Sequence, residues 1–383
     1  MLSPMPRAAV AVAGFTAMLN MYAPQAVLPL MSAEFGVGPA AISQIMTVSA
    51  LAVAITAPFT GVIADMLGRR LVIAIAIAFL VVPGVMMGLS SSLEALLFWR
   101  FVQGLLLPPI FAVSVAYIGA EWPASEATAV TGSFIAATAV GGFSGRMVTA
   151  ALAEPVGWRH ALLADAAITA LCALVVIALL PRERSFVRGT TLATSLRQMM
   201  AHLRNPGLLA TFGVGFGIMF NFLAAFTYLG FRLAAPPFSL STAAIGAVFV
   251  TYLISLVTAP FTGQLVGRFG RRKFGLIALA VWTCGILLTL APSLVVILIG
   301  LTLITGSGFY VQVCCQSFVA TNAREGNSSA VGLYVTSFYI GGSFGGLLPG
   351  LLWNSTGWPG VVWLIVGMVL VMAGLVRFAW RDA

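Results

Sequence analysis

"TAPFTGVIADMLGRR" at residues 56–70 returns as "TAPFTGQLVGRFGRR" at residues 258–272, with nine of the fifteen positions identical. A second pair, "GGFSGRMVTAALAEPVGW" at 141–158 and "GGSFGGLLPGLLWNSTGW" at 341–358, stands 200 residues apart, against 202 for the first. Two nearly equal offsets mean that one long unit is present twice. In both copies of the first phrase an apolar run ends on Gly-Arg-Arg, the pattern of a helix leaving a membrane into a basic loop.

Composition supports that reading. The chain is 60% hydrophobic and 8% charged, with a mean hydropathy of +1.06, whereas soluble domains are about a quarter charged. A helix needs about 20 apolar residues to cross the hydrocarbon core, where its backbone must satisfy itself. Twelve such segments are predicted, near 8–30, 42–64, 71–89, 92–118, 128–153, 160–180, 207–231, 243–266, 274–291, 294–320, 328–353 and 359–378. The expectation is an all-α membrane protein of twelve transmembrane helices in two six-helix bundles. An even number of spans per unit makes the copies parallel, related by a pseudo-two-fold axis along the membrane normal. Residues 1–180 form the first bundle, 181–206 a cytoplasmic linker and 207–383 the second. In the linker, Leu192, Leu196, Met199 and Leu203 recur at helical spacing, which predicts an interfacial helix with His202 on its surface. The first apolar stretch runs straight into a second span and reads as a retained helix, and no soluble domain is expected.

The net charge of +9 does not call for nucleic acid. With the N-terminus inside, fifteen of the nineteen Lys and Arg residues fall at cytoplasmic ends and loops: Arg7, Arg69, Arg70, Arg182, Arg184, Arg188, Arg197, Arg204, Arg268, Arg271, Arg272, Lys273, Arg324, Arg377 and Arg381. Only Arg159 and Arg232 reach outer loops, so both termini are expected in the cytoplasm. Cys172, Cys284, Cys314 and Cys315 all fall in spans without metal-ligand spacing and read as packing residues.

Gly61, Asp65, Gly68, Arg69 and Arg70 follow the second span at the spacing of the loop signature of the major facilitator superfamily, which they resemble, and Gly263, Gly270, Arg271 and Arg272 look like its second-half echo. Arg100, Gln103 and Gly104 in the fourth span are similar to the family's second motif. "FTYLGFRLAAPPFSLS" (226–241) resembles the family's drug:proton antiporter group. The chain departs from that group's efflux signature, Gly-Pro-x-x-Gly-Gly, by having Gly141-Gly142-Phe143-Ser144-Gly145-Arg146. Physically, Gly61 allows close helix approach, and Asp65 with Arg69, Arg70, Glu121 or Glu126 could latch one conformation at the inner face. A static topology anchor is the alternative.

Ionisable groups inside a span cost about 2.5–3.5 kcal/mol each on insertion scales, so each needs a reason. Arg100, Arg146 and Asp165 are the ones inside spans here. Mapped by the repeat, Arg146 becomes Gly346, Asp165 becomes Ile365, Arg100 falls among Gly300, Leu301 and Thr302, and Asp65 becomes Gly267. The buried charge belongs to the first half alone. Arg146 and Asp165 flank the outer turn at similar depth, which predicts an ion pair, either structural or part of a proton-linked switch, with Asp165 as the proton carrier and Arg100 as a second coupling group. The family resemblance implies that spans one, four, seven and ten line a central cavity. It nominates Tyr22, Gln25, Arg100, Gln103, Asn221, Phe226, Tyr228, Tyr310, Gln312 and Gln316, a set suited to an amphipathic or weakly anionic solute.

The sequence has no HExxH, metal cluster or nucleotide-binding loop, which speaks against a membrane enzyme and against ATP-driven transport. The expected function is secondary active transport by alternating access, most readily proton-coupled export of small organic compounds, with symport or uniport of an imported solute as the alternative. The partners are a small-molecule substrate, protons and membrane lipids, without nucleic acid; no cofactor or metal is expected, and the protein should act as a monomer in an inner membrane.

Overall fold

The structure, a computed structural model, describes residues 4–183, 192–258, 261–323 and 327–380. Arg184, Arg188, Pro260, Arg324 and Arg381, which contributed to the charge and repeat patterns, lie outside the described residues. Those residues that are described contain helices and no strand.

The first crossing is Pro4–Tyr22, continued through the 3-10 turn Ala23–Val27 into Leu28–Phe35. Gln44–Leu67, Arg69–Gly88 and Leu93–Glu121 are the next three. Ala124–Leu179 supplies the fifth and sixth, parted at Gly157 where φ is 83°. After the helix Leu192–His202, Pro206–Ala234 is the seventh. The eighth is segmented, from Thr242–Val248 through Phe249–Leu253 and Ile254–Thr258 to Thr262–Phe269. Arg271–Leu288 and Leu294–Asn322 follow, and Asn327–Ala379 makes the last two, parted at Gly357 where φ is 58°. Polar caps start several of them: Ser92 accepts from the Ala95 N–H, Ser241 from Ala244, and Asn205 from both Gly207 and Leu208. Outward-facing side chains such as Phe79, Leu171, Leu174 and Val295 are exposed around the bundle. An apolar surface of that extent requires a lipid environment.

The duplication read from sequence is reproduced in three dimensions. Gly68 and Gly270, equivalent in the repeat, both join two spans with positive φ, 94° and 77°. Only glycine takes that backbone without a Cβ penalty, which accounts for the Gly of both Gly-Arg-Arg phrases. Gly157 and Gly357 break the two long helices at positions 200 apart, and each is followed by a buried tryptophan, Trp158 or Trp358. Likewise Gly141 and Gly145 press the fifth span onto the backbone of Phe15 and Leu19, while Gly341 and Gly345 press the eleventh onto Phe216 and Phe220.

Two expectations are corrected. In the linker helix, Met199 and His202 are buried, and Leu196 and Leu203 are exposed. The stripe is thus split, because the helix turns Met199 and His202 toward the protein, where the neighbouring Gln198 accepts from Ser329 of the eleventh span at 3.1 Å. Cys284 is exposed rather than a packing residue, whereas Cys314 and Cys315 are buried.

The halves meet along two seams. The second and eleventh spans run antiparallel with Gly350 against Ala40, Gly346 against Thr47, Gly342 against Ala50 and Gly332 against Pro58. Pro58 has no N–H for the carbonyl of Ala54 four residues back, and Thr336 of the other half donates to that carbonyl at 3.3 Å. The fifth and eighth spans touch toward the face opposite the Gly-Arg-Arg loops, where Gly246 lies against Ala150 and Glu154 accepts from the Ala243 N–H at 3.2 Å. Toward the basic face the glycines of the same two helices, Gly132 and Gly263, have nothing within 4 Å. The glycine contacts between these two helices therefore lie toward one face.

Candidate functional site

Arg100 is fully buried, and every donor group is used inside the first half. Its Nε donates to the Ile45 carbonyl (3.3 Å), Nη1 to that of Asn20 (3.0 Å) and to Gln103 Oε1, and Nη2 to the Met21 carbonyl (2.7 Å). The reason lies in the first span. Pro24 has no N–H to offer Asn20, and the 3-10 turn that follows loosens the helix there. Arg100 is a plug for carbonyls freed by a broken helix. Gln103 donates onward to Asn20 Oδ1 (3.0 Å), and Asn20 to Thr169 Oγ1 (2.8 Å), itself bonded to the Asp165 carbonyl (2.8 Å). Arg100 is thus turned into the first half in this conformation, its remaining N–H on Met46 Sδ at 3.8 Å.

Arg146 sits between the halves. Its Nε donates to Gln25 Oε1 at 2.8 Å and its Nη1 to the Gly142 carbonyl at 2.9 Å, while Nη2 is buried without an acceptor. Its guanidinium lies 4.0 Å from the ring centroid of Tyr22, 4.6 Å from Phe249 and 4.5 Å from Tyr252. Phe249 and Tyr252 belong to the eighth span, across the seam. Gln25 also crosses it, donating to Thr227 at 3.0 Å.

Arg146 and Asp165 do not pair, contrary to the sequence expectation. Asp165 Oδ2 accepts from the Thr149 hydroxyl, and Oδ1 is buried without a partner. Position along a helix does not set rotation about its axis. Arg146 points to the other half, and Asp165 into the first half near Thr149.

The remaining nominees are scattered. Phe226 is buried against Phe249 and Tyr252, with centroids at 5.6 and 4.6 Å, and so backs the Arg146 site. Tyr228 is buried and crosses the seam, with its hydroxyl 2.7 Å from Ser43 and donating to the Gly346 carbonyl at 2.8 Å. Asn221 is buried inside the second half and donates to Met372 Sδ at 3.5 Å. Tyr310 packs on Phe274, Gln312 is half-buried and Gln316 exposed, nearer the basic end of the tenth span. Of the ten, the structure brings Tyr22, Gln25 and Phe226 together around Arg146. Phe249, Tyr252, Thr227 and Thr149 were not anticipated; the run Phe249–Leu253 in the eighth span, "FVTYL", was the available signal, overlooked because that helix was outside the nominated set.

At the basic face Asp65 pairs with Arg69 at 3.3 Å, as expected, but Glu126 pairs with Arg7 at 2.5 Å. Arg70 donates to the Leu180 carbonyl at 2.7 Å. Glu183, unanticipated, accepts from the Arg69 and Arg70 backbone N–H groups at 2.7 and 3.3 Å, a carboxylate on a helix N-terminus. Glu121 closes the fourth span. In the echo, Arg271 donates to Ser317 at 3.4 Å and stands over Phe318, and Arg272 follows it on the ninth span. A Cβ at Gly61 or Gly263 would meet nothing within 4 Å, which corrects the expected close approach.

The family model described as Major Facilitator Superfamily matches residues 10–249 and 222–383. The chain belongs to the Major Facilitator Superfamily. Among its relatives in that superfamily, the inner membrane transport protein YnfM of Escherichia coli (strain K12) is 32% identical over 368 residues, covering 95% of this chain and 87% of YnfM. The uncharacterized MFS-type transporter YybF of Bacillus subtilis (strain 168) is 28% identical, over 97% of this chain and 92% of its own. Among solved structures, the nucleoside transporter NupG (D323A mutant) superposes with a TM-score of 0.79 at 15% identity, covering 98% of this chain and all of NupG. The human organic anion transporter MFSD10 does so with 0.72 at 17%, over 98% of this chain and all of that one. At such identities these two define the Major Facilitator Superfamily fold and nothing about cargo. The protein is thus a membrane transporter for a small molecule and not an enzyme.

Proposed function

We propose that this chain exports small organic compounds from a bacterial cell across the inner membrane, driven by protons, by alternating access. In this reading the basic face is cytoplasmic, as are both termini, which the distribution of Arg and Lys supports. Residues 1–180 and 207–383 are the rocking bodies and 181–206 their tether; the protein acts as a monomer. The seam contacts of Gln25, Ser43, Ala150 and Glu154 close the periplasmic side, and the fifth and eighth spans part to open the cytoplasmic side. The Asp65 cluster, bonded among the described residues within the first half and to Glu183 of the linker, is a latch for the opposite conformation.

The observation that carries proton coupling is Asp165, buried in the sixth span with one carboxyl oxygen on Thr149 and the other unpartnered. An isolated buried carboxylate is costly, so the protonated form fits this conformation, and rocking that admits water would release the proton. A chain from the Asp165 main-chain carbonyl through Thr169, Asn20 and Gln103 packs the sixth span against Arg100 and the break in the first span, while the carboxyl itself meets Thr149.

Inverted vesicles with an imposed proton gradient test this. Compounds that are exported should collapse the gradient, seen as reversed quenching of a pH-sensitive dye, and Asp165→Asn should abolish that signal while preserving substrate exchange. Undiminished proton flux in the Asn variant refutes the coupling role. Gradient-driven uptake confined to right-side-out vesicles would replace export with import.

A further inference from the structure

Arg146 is a buried cation whose compensation is incomplete and borrowed. Among the described residues it makes no ion pair, and the acid expected beside it, Asp165, is turned away toward Thr149. Two neutral acceptors, Gln25 Oε1 and the Gly142 carbonyl, take two of its N–H groups; Nη2 has no partner of hydrogen-bonding geometry, and the Tyr252 hydroxyl, from the eighth span, stands near the guanidinium as a polar neighbour. Aromatic faces supply the rest, and two of the three rings, Phe249 and Tyr252, belong to the half that must move when the closed seam opens. Opening therefore strips the guanidinium of part of its stabilisation while its free N–H edge turns to the emerging cleft. A guanidinium at reduced dielectric with unpaired donors is best satisfied by a bidentate anion. The positive potential it creates between apolar walls repels cations.

We propose that Arg146 is the binding point for the anionic group of the transported solute, and that the Tyr22–Phe249–Tyr252 cage is the occupant that takes its place in the closed, empty carrier. The solute is then a small organic anion, carboxylate or similar, with a planar apolar body to stack where Phe249 and Tyr252 have withdrawn. The anion and the cage compete for one guanidinium, so the cage reseals the seam once cargo has left; because the cage opens with the periplasmic side, the site serves release of an exported anion or uptake of an imported one, and the inference does not depend on direction. Arg100 does not substitute in this structure, since three of its N–H groups are on backbone carbonyls and the others on Gln103 Oε1 and Met46 Sδ. The inference rests on the alternating-access reading above but not on its proton coupling.

The test is binding to the full-length purified protein, followed by thermal stabilisation and tryptophan fluorescence. The probes are three matched pairs: benzoate and benzamide, 2-naphthoate and 2-naphthamide, indole-3-acetate and indole-3-acetamide. A charge-assisted pair should make the acid bind about tenfold tighter than its amide. Arg146→Gln should erase that preference and Arg146→Lys retain part of it, which also controls for folding. Phe249→Leu, which weakens the competing cage, should raise the acid-to-amide ratio above the native value. Equal binding of acid and amide, an acid preference undiminished by Arg146→Gln, a ratio unmoved by Phe249→Leu, or failure of every acid to bind at millimolar concentration would each overturn the proposal. Because no proton gradient is present, failure here is distinct from failure of proton coupling, which the Asp165→Asn vesicle experiment reads separately.

Discussion

If Arg100 plugs a broken helix, replacing it should cost stability, and the cost should depend on Pro24. Arg100→Met keeps an apolar side chain of similar reach and removes every donor. It loses the bonds to the carbonyls of Asn20, Met21 and Ile45 and to Gln103. Hydrogen bonds to a charged group are worth about 1.5–3 kcal/mol each, so four at the lower end total about 6 kcal/mol. Removing the cation from the membrane interior returns about 2.5–3.5 kcal/mol. The net loss is about 3 kcal/mol, measurable as unfolding free energy in an SDS titration of protein in mixed micelles and as a drop in melting temperature. Pro24→Ala restores an N–H four residues beyond Asn20, so in that background Arg100→Met should cost about 1 kcal/mol less. A cargo-binding Arg100 would show neither effect. Native stability of the Met variant, or additivity of the two substitutions within about 0.5 kcal/mol, refutes the plug.

At the closed seam, a side chain at Gly246 would place its Cβ 2.5 Å from that of Ala150. Gly246→Val should therefore hold the fifth and eighth spans apart and increase labelling by an impermeant maleimide of a cysteine placed at Met147, whose Cα lies 3.6 Å from the same point; unchanged labelling contradicts the seam. On the same face Glu34 accepts from Arg159 and from Trp158, and the hydrogen bond from Arg159 holds its carboxyl below the ordinary range against an opposing effect of burial. A depressed value means that the stabilisation is present above the ordinary carboxylate pKa of about 4.3 and lost as pH falls through the lower folded one. The melting difference between the native protein and Glu34→Gln should thus be present at neutral pH and vanish in acid. It will be small, since the side chain is 44% exposed; a difference constant with pH would show that the carboxylate charge is not what holds the turn.

Much of the scaffold could be read from particular residues. The repeated Gly-Arg-Arg phrases marked two equivalent loops, and Gly68 and Gly270 both prove to need positive φ there. The second match located the outer turns, where Gly157 and Gly357 break the helices. Asp65 and Arg69 were legible as neighbours because they stand at the end of one span and the start of the next, on either side of the turn at Gly68. The site was less legible. Arg146 and Asp165 were read as a pair from their distance to the outer turn, and the structure gives them different partners. Arg100 was assigned to cargo although Pro24, four residues after Asn20, already announced a carbonyl in need of a donor. Tyr252 and Phe249 were missed because their role depends on a helix from the other half.

By itself the sequence determined that this is a duplicated, twelve-span membrane protein with its buried charge confined to one copy. Hydropathy, repeat offset and charge placement are properties along the chain, and a membrane converts position along the chain into depth. Only the tertiary structure decided which way each buried charge faces: Arg100 into its own half, Asp165 toward Thr149, Arg146 across the seam into an aromatic cage. Rotation about a helix axis is settled by packing between helices distant in sequence, and neither depth nor spacing encodes it.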